Sequence, residues 1–324
     1  FFEYNNMGAA KNLNSMSSDW SRWAMNSYFV RGAYTYDDKY SATVTARMDG
    51  SSKFGKDNKY AFFPSAGLAW NVSNEDFLKD NDVINALKLH TSYGLTGNSE
   101  IDPYTSLSSV SSGTLLNDGA RESYTYVSTL GNSSLKWEKT AQWDLGFNLN
   151  LFKNRLNFDV SYYYKKTTDL LLSRPVPYST GYTSVMDNIG SVQNKGLDIM
   201  VNSVNVNSKD FSWSSTLNMN YNRNKVLKLG ENDEDILSNG FLNGYAILRV
   251  GESLSSFYGY ERLGVYTTQD YDSGLCEMKQ IGRAKRSTDK KILGKGLPDW
   301  TGSFINEFRY KNIDLTVDLQ FVMG

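Results

Sequence analysis

Between positions 142 and 164 the chain writes two strands back to back across a turn of two or three residues. In the first, Trp143, Leu145, Phe147, Leu149 and Leu151 interleave with Gln142, Asp144, Gly146, Asn148 and Asn150. In the second, Leu156, Phe158, Val160, Tyr162 and Tyr164 interleave with Arg155, Asn157, Asp159, Ser161 and Tyr163. Because side chains on a strand alternate between its two faces, each strand has one apolar and one polar face. Sandwich strands share that alternation but are usually about five or six residues long. These runs reach the roughly 9 to 11 residues that a tilted strand needs to cross a bilayer. Length therefore shifts the reading toward an all-β fold, an antiparallel transmembrane β-barrel.

The pattern recurs. Tyr40, Ala42, Val44, Ala46 and Met48 oppose Ser41, Thr43, Thr45, Arg47 and Asp49. Phe211, Trp213, Leu217, Met219 and Tyr221 oppose a face of Ser, Thr and Asn, small uncharged groups that a water-filled lumen tolerates. Ile313, Leu315, Val317, Leu319 and Phe321 repeat the alternation near the end. About ten membrane strands are expected, beginning near Tyr28, Tyr40, Ser65, Leu87, Trp137, Arg155, Ile189, Phe211, Thr301 and Ile313.

No run approaches the roughly 18 apolar residues of a membrane helix, and mean hydropathy is negative. Transmembrane barrels give such values because half of each strand faces water. The 22 Tyr, 16 Phe and 7 Trp are many for 324 residues. They serve cross-strand pairing in a large soluble β-protein or an interfacial girdle, for which Tyr34, Tyr36, Tyr40, Trp70, Trp143 and Trp213 are candidates. A net charge of -1 offers no surface for a polyanion, so no nucleic-acid partner is expected. The lone Cys276 forms no internal disulfide and reads as a loop thiol, and the lone His90 falls on a polar face with Lys88 and Ser92. One His and one Cys effectively remove His-based triads and metal centres, while counting alone leaves paired carboxylates open; no nucleophile-base constellation is found, so neither an enzyme nor a cofactor is expected.

Loop lengths set an orientation. Short connections at Asp37 and Asp38, at 152–154, 207–210 and 310–312, with a longer one from Ser73 to about Asn85, read as periplasmic turns, since barrels keep those short. The stretches 50–60, 97–136, 169–187 and 224–300 then face outside. The opening FFEYNNMGAAKNLNSMSSDW has no charged region followed by an apolar core, so no export signal is read there. The simplest expectation is an internal piece of a longer polypeptide.

Four blocks then carry a resemblance: RMDGSSKFGKDNKYAFFPSAGLAW (47–70), LKLHTSYGLTGN (87–98), LKWEKTAQWDLGFNL (135–149) and STGYTSVMDNIGSVQNKGLDIMV (179–201). In order and spacing they resemble the SusC/RagA family of TonB-dependent outer-membrane transporters, and YKNIDLTVDLQF (310–321) is similar to that family's near-terminal strand. The resemblance implies a barrel of about 22 strands around an N-terminal plug. It implies a SusD-like surface lipoprotein over the mouth, energy from TonB, ExbB and ExbD, and oligosaccharide or peptide cargo. Residues 1–324 would then be a partial barrel domain, without the plug and the last strand or strands, in the outer membrane of a Gram-negative cell. On strand pattern alone, a passive porin or barrel adhesin without a plug is the alternative. Taken alone, about ten strands make an open, curved sheet whose two edges are costly in lipid.

The motif residues have physical readings. Asp49 and Gly50 suit a tight turn leaving the strand, and Gly55 permits positive backbone angles. Pro64 fits a strand start. Gly190 and Gly196 lie in an apparent strand, where glycine marks a bulge or close approach. With Asn188 and Asn194, and with Trp137 and Glu138 of the third block, these are expected to be structural positions. Tyr178 and Tyr182, in a loop stiffened by Pro175 and Pro177, are candidate contacts to ligand or lipoprotein. The acidic run 231–235 reads as a solvated loop. The basic stretch MKQIGRAKRSTDKKILGKG stands where many relatives carry a calcium-like segment, so no metal is carried over.

Overall fold

The computed structural model describes residues 20–79, 81–230, 232–239 and 245–324. In chain order the strands are β1 (Met25–Tyr36), β2 (Tyr40–Ser51), β3 (Tyr60–Asn71), β4 (Ile84–Asn98), β5 (Ser109–Asn117) and β6 (Ala120–Thr129). They continue with β7 (Glu138–Leu151), β8 (Leu156–Thr168), β9 (Leu171–Pro175), β10 (Ser184–Asn188), β11 (Ser191–Asn207) and β12 (Phe211–Lys228). The last are β13 (Ile236–Asn239), β14 (Tyr245–Leu248), β15 (Ser256–Val265), β16 (Ala284–Lys295), β17 (Trp300–Tyr310) and β18 (Ile313–Met323).

Ten of these form one antiparallel sheet in the order β1-β2-β3-β4-β7-β8-β11-β12-β17-β18. Each neighbour follows its predecessor in sequence apart from the loop strands. This is the ten-stranded open sheet expected from the period-two pattern.

The register aligns the apolar halves of the strands into continuous rows. One runs Tyr40, Trp70, Leu89, Phe147, Val160, Ile199, Met219, Gly302, Phe321. It begins at the first residue of β2, beside the β1–β2 turn, and ends near the last residue of β18, at the end away from the β17–β18 turn, a stagger that reflects the strand tilt a barrel requires. Trp143 to Leu151 spans roughly 27 Å along its strand, enough, once tilted, for most of an apolar membrane band. The opposite face carries Asp144, Asn148, Asp159, Asp198, Asn218, Asn220 and Ser303.

Turn chemistry explains the short connections. Asp37 and Asp38 both take positive φ, as do Phe152, Lys153 and Asn154 in the β7–β8 turn and Lys311 between β17 and β18. Such backbone matches the twist of flanking strands. The long connections carry strands of their own: the β5–β6 hairpin, the β9–β10 hairpin and a four-stranded sheet β13-β14-β15-β16.

Four readings of individual residues change. Asp49 and Gly50 do not leave the strand: they pair with Ala61 and Tyr60 on β3 and with Ser27 and Asn26 on β1. The Tyr60 ring fills the space where a side chain on Gly50 would stand, 2.3 Å from an ideal Cβ. Gly55 does not use positive φ. Glycine is required there because a Cβ would lie 2.0 Å from the Ser133 carbonyl oxygen. Pro64 is the fifth residue of its strand, not the first; the ladder to β4 begins at Ser65, so the missing N–H falls where β3 has no partner on that side. Gly190 lies outside the strands, in the joint between β10 and β11 at φ 91°, which lets the chain turn from the loop hairpin into the wall. Gly196 is within β11, where Tyr163 lies across it on the lumen face.

Candidate functional site

At the turn end of the sheet, aromatic residues point polar tips away from the apolar band. Glu75, in the β3–β4 connection, accepts hydrogen bonds from the Tyr40 hydroxyl (2.6 Å) and the Trp70 indole N–H (3.1 Å) and pairs with Lys39 (3.2 Å). These partners, Tyr40 first, hold the Glu75 carboxyl below the ordinary carboxylate range. Tyr40 stacks on Trp70 at 6.3 Å, and Trp213 on Phe308 at 5.6 Å near the same end. An apolar body with a wet tip is what an interfacial position selects.

The lumen face is a lattice of amides, hydroxyls and carboxylates. Gln142 donates to Asp144 at 2.8 Å, which also accepts from Ser92 at 3.3 Å. Asn220 donates to Asp198, Asn218 to Ser303 (3.2 Å) and Asn224 to Asn194 (2.7 Å). The Tyr163 hydroxyl reaches across Gly196 to the Asn222 amide oxygen at 3.1 Å. His90 stands on this face, with Nε2 close over Gly146. Amides, hydroxyls and charges of both signs in such density make this a wet face.

At the other end, three loops meet on one buried cluster: Phe54, Phe63, Ile101, Leu135 and Trp137, with Leu171 and Met186 packed against it. Trp137 is 3% exposed; Phe54 and Phe63 lie against it at 5.3 and 5.6 Å, and its indole N–H donates to the Lys59 carbonyl at 2.9 Å. Asn188 clamps the joint: its Oδ1 accepts from the Lys136 N–H (2.8 Å), and its Nδ2 donates to the carbonyls of Lys136 (2.8 Å) and Asp169 (2.9 Å). Glu138 accepts from the Leu171 N–H at 3.3 Å. Gly55 admits the Ser133 carbonyl between loops.

A second cluster, Val192, Val226 and Leu229 with Leu170, Ile236, Leu248 and Leu254, seats the four-stranded loop sheet. Asn194 works through Asn224, whose Oδ1 accepts from the Leu254 N–H at 2.8 Å. In that sheet Asp235 pairs with Arg249 at 2.7 Å and raises its pKa, while Asp233 accepts from the Leu229 N–H; Glu231 lies outside the described residues. Thr267 caps a short helix, α1 (Thr268–Asp272), in a reciprocal box with Asp270, whose carboxylate accepts from the Thr267 N–H and hydroxyl and has its pKa lowered by them. Cys276 sits nearby, its thiol pushed up by burial and by the Asp270 charge.

Of the residues named from sequence, Trp137 belongs to the first cluster and Gly55, Glu138 and Asn188 tie the loops around it, Gly190 and Asn194 stand beside the second, and Asp49, Gly50 and Pro64 are ladder positions of β2 and β3. Tyr178 and Tyr182 stand apart, at the tip between β9 and β10. Tyr178 is 86% exposed on a single 3-10 turn, Gly181 bends the chain after it at φ 83°, and Tyr182 is half-buried. Sequence reading missed Phe54, Leu135, Ile101 and Asn132. The first three sit in irregular segments without periodicity. Asn132 donates to the Met186 carbonyl at 3.1 Å and to Asp187 at 3.2 Å.

A family described as "TonB dependent receptor-like, beta-barrel" matches residues 2–318. TonB-dependent receptor P3 of Formosa agariphila is 41% identical over 92% of this chain and 32% of its own length. TonB-dependent receptor SusC of Bacteroides thetaiotaomicron is 32% identical over 93% of the chain and 31% of its own length. The chain thus spans about a third of the length of the curated relatives it matches. Among solved structures, that of the RagAB peptide transporter superposes with a TM-score of 0.83 at 28% identity, covering 98% of this chain and 36% of that one. Ten tilted strands, an apolar outer face and a hydrogen-bonding inner one agree with these likenesses: the chain belongs to the TonB-dependent receptor β-barrel family, in its SusC/RagA-like branch.

Proposed function

We propose that this chain forms part of the wall and extracellular rim of an outer-membrane importer energised by TonB, ExbB and ExbD, taking up oligosaccharides or peptides too large for a porin. The observation that carries the reading is the rim. Three loops are fixed on Trp137 and a fourth on Val192 and Val226, so the mouth is a shaped surface on which a SusD-like lipoprotein can seat. The likeness to SusC and to the RagAB peptide transporter supports it. In this reading Asp49, Gly50, Gly55, Pro64, Trp137, Glu138, Asn188, Gly190, Asn194 and Gly196 hold the scaffold, and Tyr178 and Tyr182 contact cargo or lipoprotein. The edges of β1 and β18 would pair with further strands, because unpaired backbone in lipid costs several kcal/mol per group. A plug would precede these strands in the full-length protein and occlude the lumen they line.

The test is reconstitution of the full-length protein that contains this chain. An importer is silent in a planar bilayer and takes up labelled oligosaccharide or peptide in cells only when TonB is present. Steady conductance together with TonB-independent uptake would replace this reading with a passive porin.

A further inference from the structure

The register of the ten-stranded sheet assigns every wall side chain to one face, and the charges divide unevenly between the two. The lumen face mixes signs: Arg47, Lys88 and Lys165 with Asp144, Asp159 and Asp198. The outward face has six charged residues at its described strand positions, all cations: Lys139, Lys166, Lys195, Arg223, Lys225 and Lys228.

All six sit at the extracellular ends of four adjacent strands, β7, β8, β11 and β12. Reading across the strands, the uppermost row is Lys139, Thr168, Ser191, Lys228; the next is Ala141, Lys166, Gln193, Lys225. Below them come Trp143, Tyr164, Lys195, Arg223, and then the apolar row Leu145, Tyr162, Leu197, Tyr221, Trp300. The face thus passes from hydrocarbon-loving to aromatic to cationic within about three rows, each roughly 7 Å along the strand.

All six are exposed, and none forms an ion pair among the described residues. Lys195 lies directly opposite Arg223, on strands about 5 Å apart, and like charges so placed destabilise a sheet unless an anion lies between them. A groove of about 580 Å³ opens beside this pair, where β12 meets the loop sheet, lined by Gln193, Lys195, Arg223, Lys225, Glu252 and Lys295. Lys295 is already paired with Asp299, which leaves three cations, Lys195, Arg223 and Lys225, against the one carboxylate of Glu252, a net positive groove.

From this geometry we infer that the outward extracellular rim is a binding site for the phosphate-bearing headgroup of an outer-leaflet lipid. The lipid's acyl chains lie on Leu145, Tyr162 and Leu197, its interfacial region on Trp143 and Tyr164, and its phosphate between Lys195, Arg223 and Lys225. Arg223 supplies a planar fork that takes two phosphate oxygens at once, and the lysines add point charges. Charge complementarity selects this occupant: a neutral chain or a cationic peptide gains nothing from six cations above an aromatic row.

The test uses the full-length protein in a nonionic detergent and counts bound lipid by native mass spectrometry, with phosphatidic acid as the probe and phosphatidylcholine as the comparison. The wild type should bind phosphatidic acid at least tenfold more tightly. The variant Lys195→Ala, Arg223→Ala, Lys225→Ala should lose on the order of a hundredfold of that affinity. Lys195→Arg with Lys225→Arg should keep it, and the lumen-side pair Lys88→Ala, Lys165→Ala should leave it unchanged. Heat-modifiable migration on a gel verifies that each variant is a folded barrel. Equal binding of the two lipids, an unaffected triple variant, or an equal loss in the lumen-side variant would overturn the assignment. So would displacement of the lipid by equimolar inorganic phosphate, which would make the ligand a soluble anion.

Discussion

Replacing Trp137 with alanine should uncouple three extracellular loops at once, although the residue belongs to only one of them. The indole is 3% exposed, stands between Phe54 and Phe63, and donates to the Lys59 carbonyl. Emptying a buried site of that size costs about 3–5 kcal/mol, the spread depending on how far the surroundings collapse. At this site they are fixed: Gly55 is pressed against Ser133, and Asn188 is bonded on both sides to Lys136. Collapse is restricted, so about 4 kcal/mol is expected. Trp137→Phe keeps most of the ring volume but removes the indole bond to the Lys59 carbonyl, which still accepts from the Ser51 N–H at 3.0 Å, for about 1 kcal/mol. Amide hydrogen exchange on the full-length protein in nanodiscs reads this directly. At roughly tenfold per 1.4 kcal/mol, Trp137→Ala should reduce protection about a thousandfold in 52–59, 99–137 and 169–190 together. Trp137→Phe should reduce it about fivefold, and amides of 142–151 and 156–164 should not change in either variant. Faster exchange confined to residues next to position 137 would refute the idea that one ring holds three loops.

Three further outcomes follow from particular contacts. Gly55→Ala forces a methyl to 2.0 Å from the Ser133 oxygen and should lower the unfolding temperature of the rim, whereas Gly32→Ala, with nothing within 4 Å of its Cβ, should be neutral; a calorimetric scan of the two separates them. Glu75 should titrate below the free carboxylate range, so its contribution is present at neutral pH and lost only as pH falls through that lowered value; Tyr40→Phe should move the midpoint upward in a carbon-13 NMR titration. Leu145→Lys places a charge in the apolar band and should destabilise the barrel by about 2–4 kcal/mol in urea unfolding, while Asn148→Lys, on the lumen face, should cost little.

How far the chain is legible depends on whether a segment has two chemically different faces. The ten wall strands do, and strands β2, β12 and β18 begin at the positions their alternation indicates. Alternation starts β3 at Ser65, five residues late, because a proline reads as a boundary, whereas it needs only that its own missing N–H have no partner. The β5–β6 hairpin has water on both sides and therefore no alternation. Its Asp118-Gly119 turn, both residues at positive φ, is its one local signal. β16 is hidden in the same way within a basic, two-sided polar run. The rim residues present a different case. Trp137, Asn188 and Gly55 are each marked as structural by the family's motifs. No local pattern says that an amide at 188 bonds to the backbone at 136, or that a glycine at 55 makes room for a carbonyl at 133, because those contacts join irregular segments far apart in sequence.

The central claim is that these ten strands are a transmembrane wall with lipid on one face and water on the other. Spin labels placed one at a time from 142 to 151 and from 156 to 164, in the full-length protein with Cys276→Ser, reconstituted in liposomes, test it most directly. Collision rates with oxygen and with a water-soluble nickel chelate should alternate with period two: oxygen favoured at 143, 145, 147, 158, 160 and 162, and the chelate at 144, 146, 148, 157, 159 and 161. Chelate access at both sets of positions, or a period near 3.6, would contradict it.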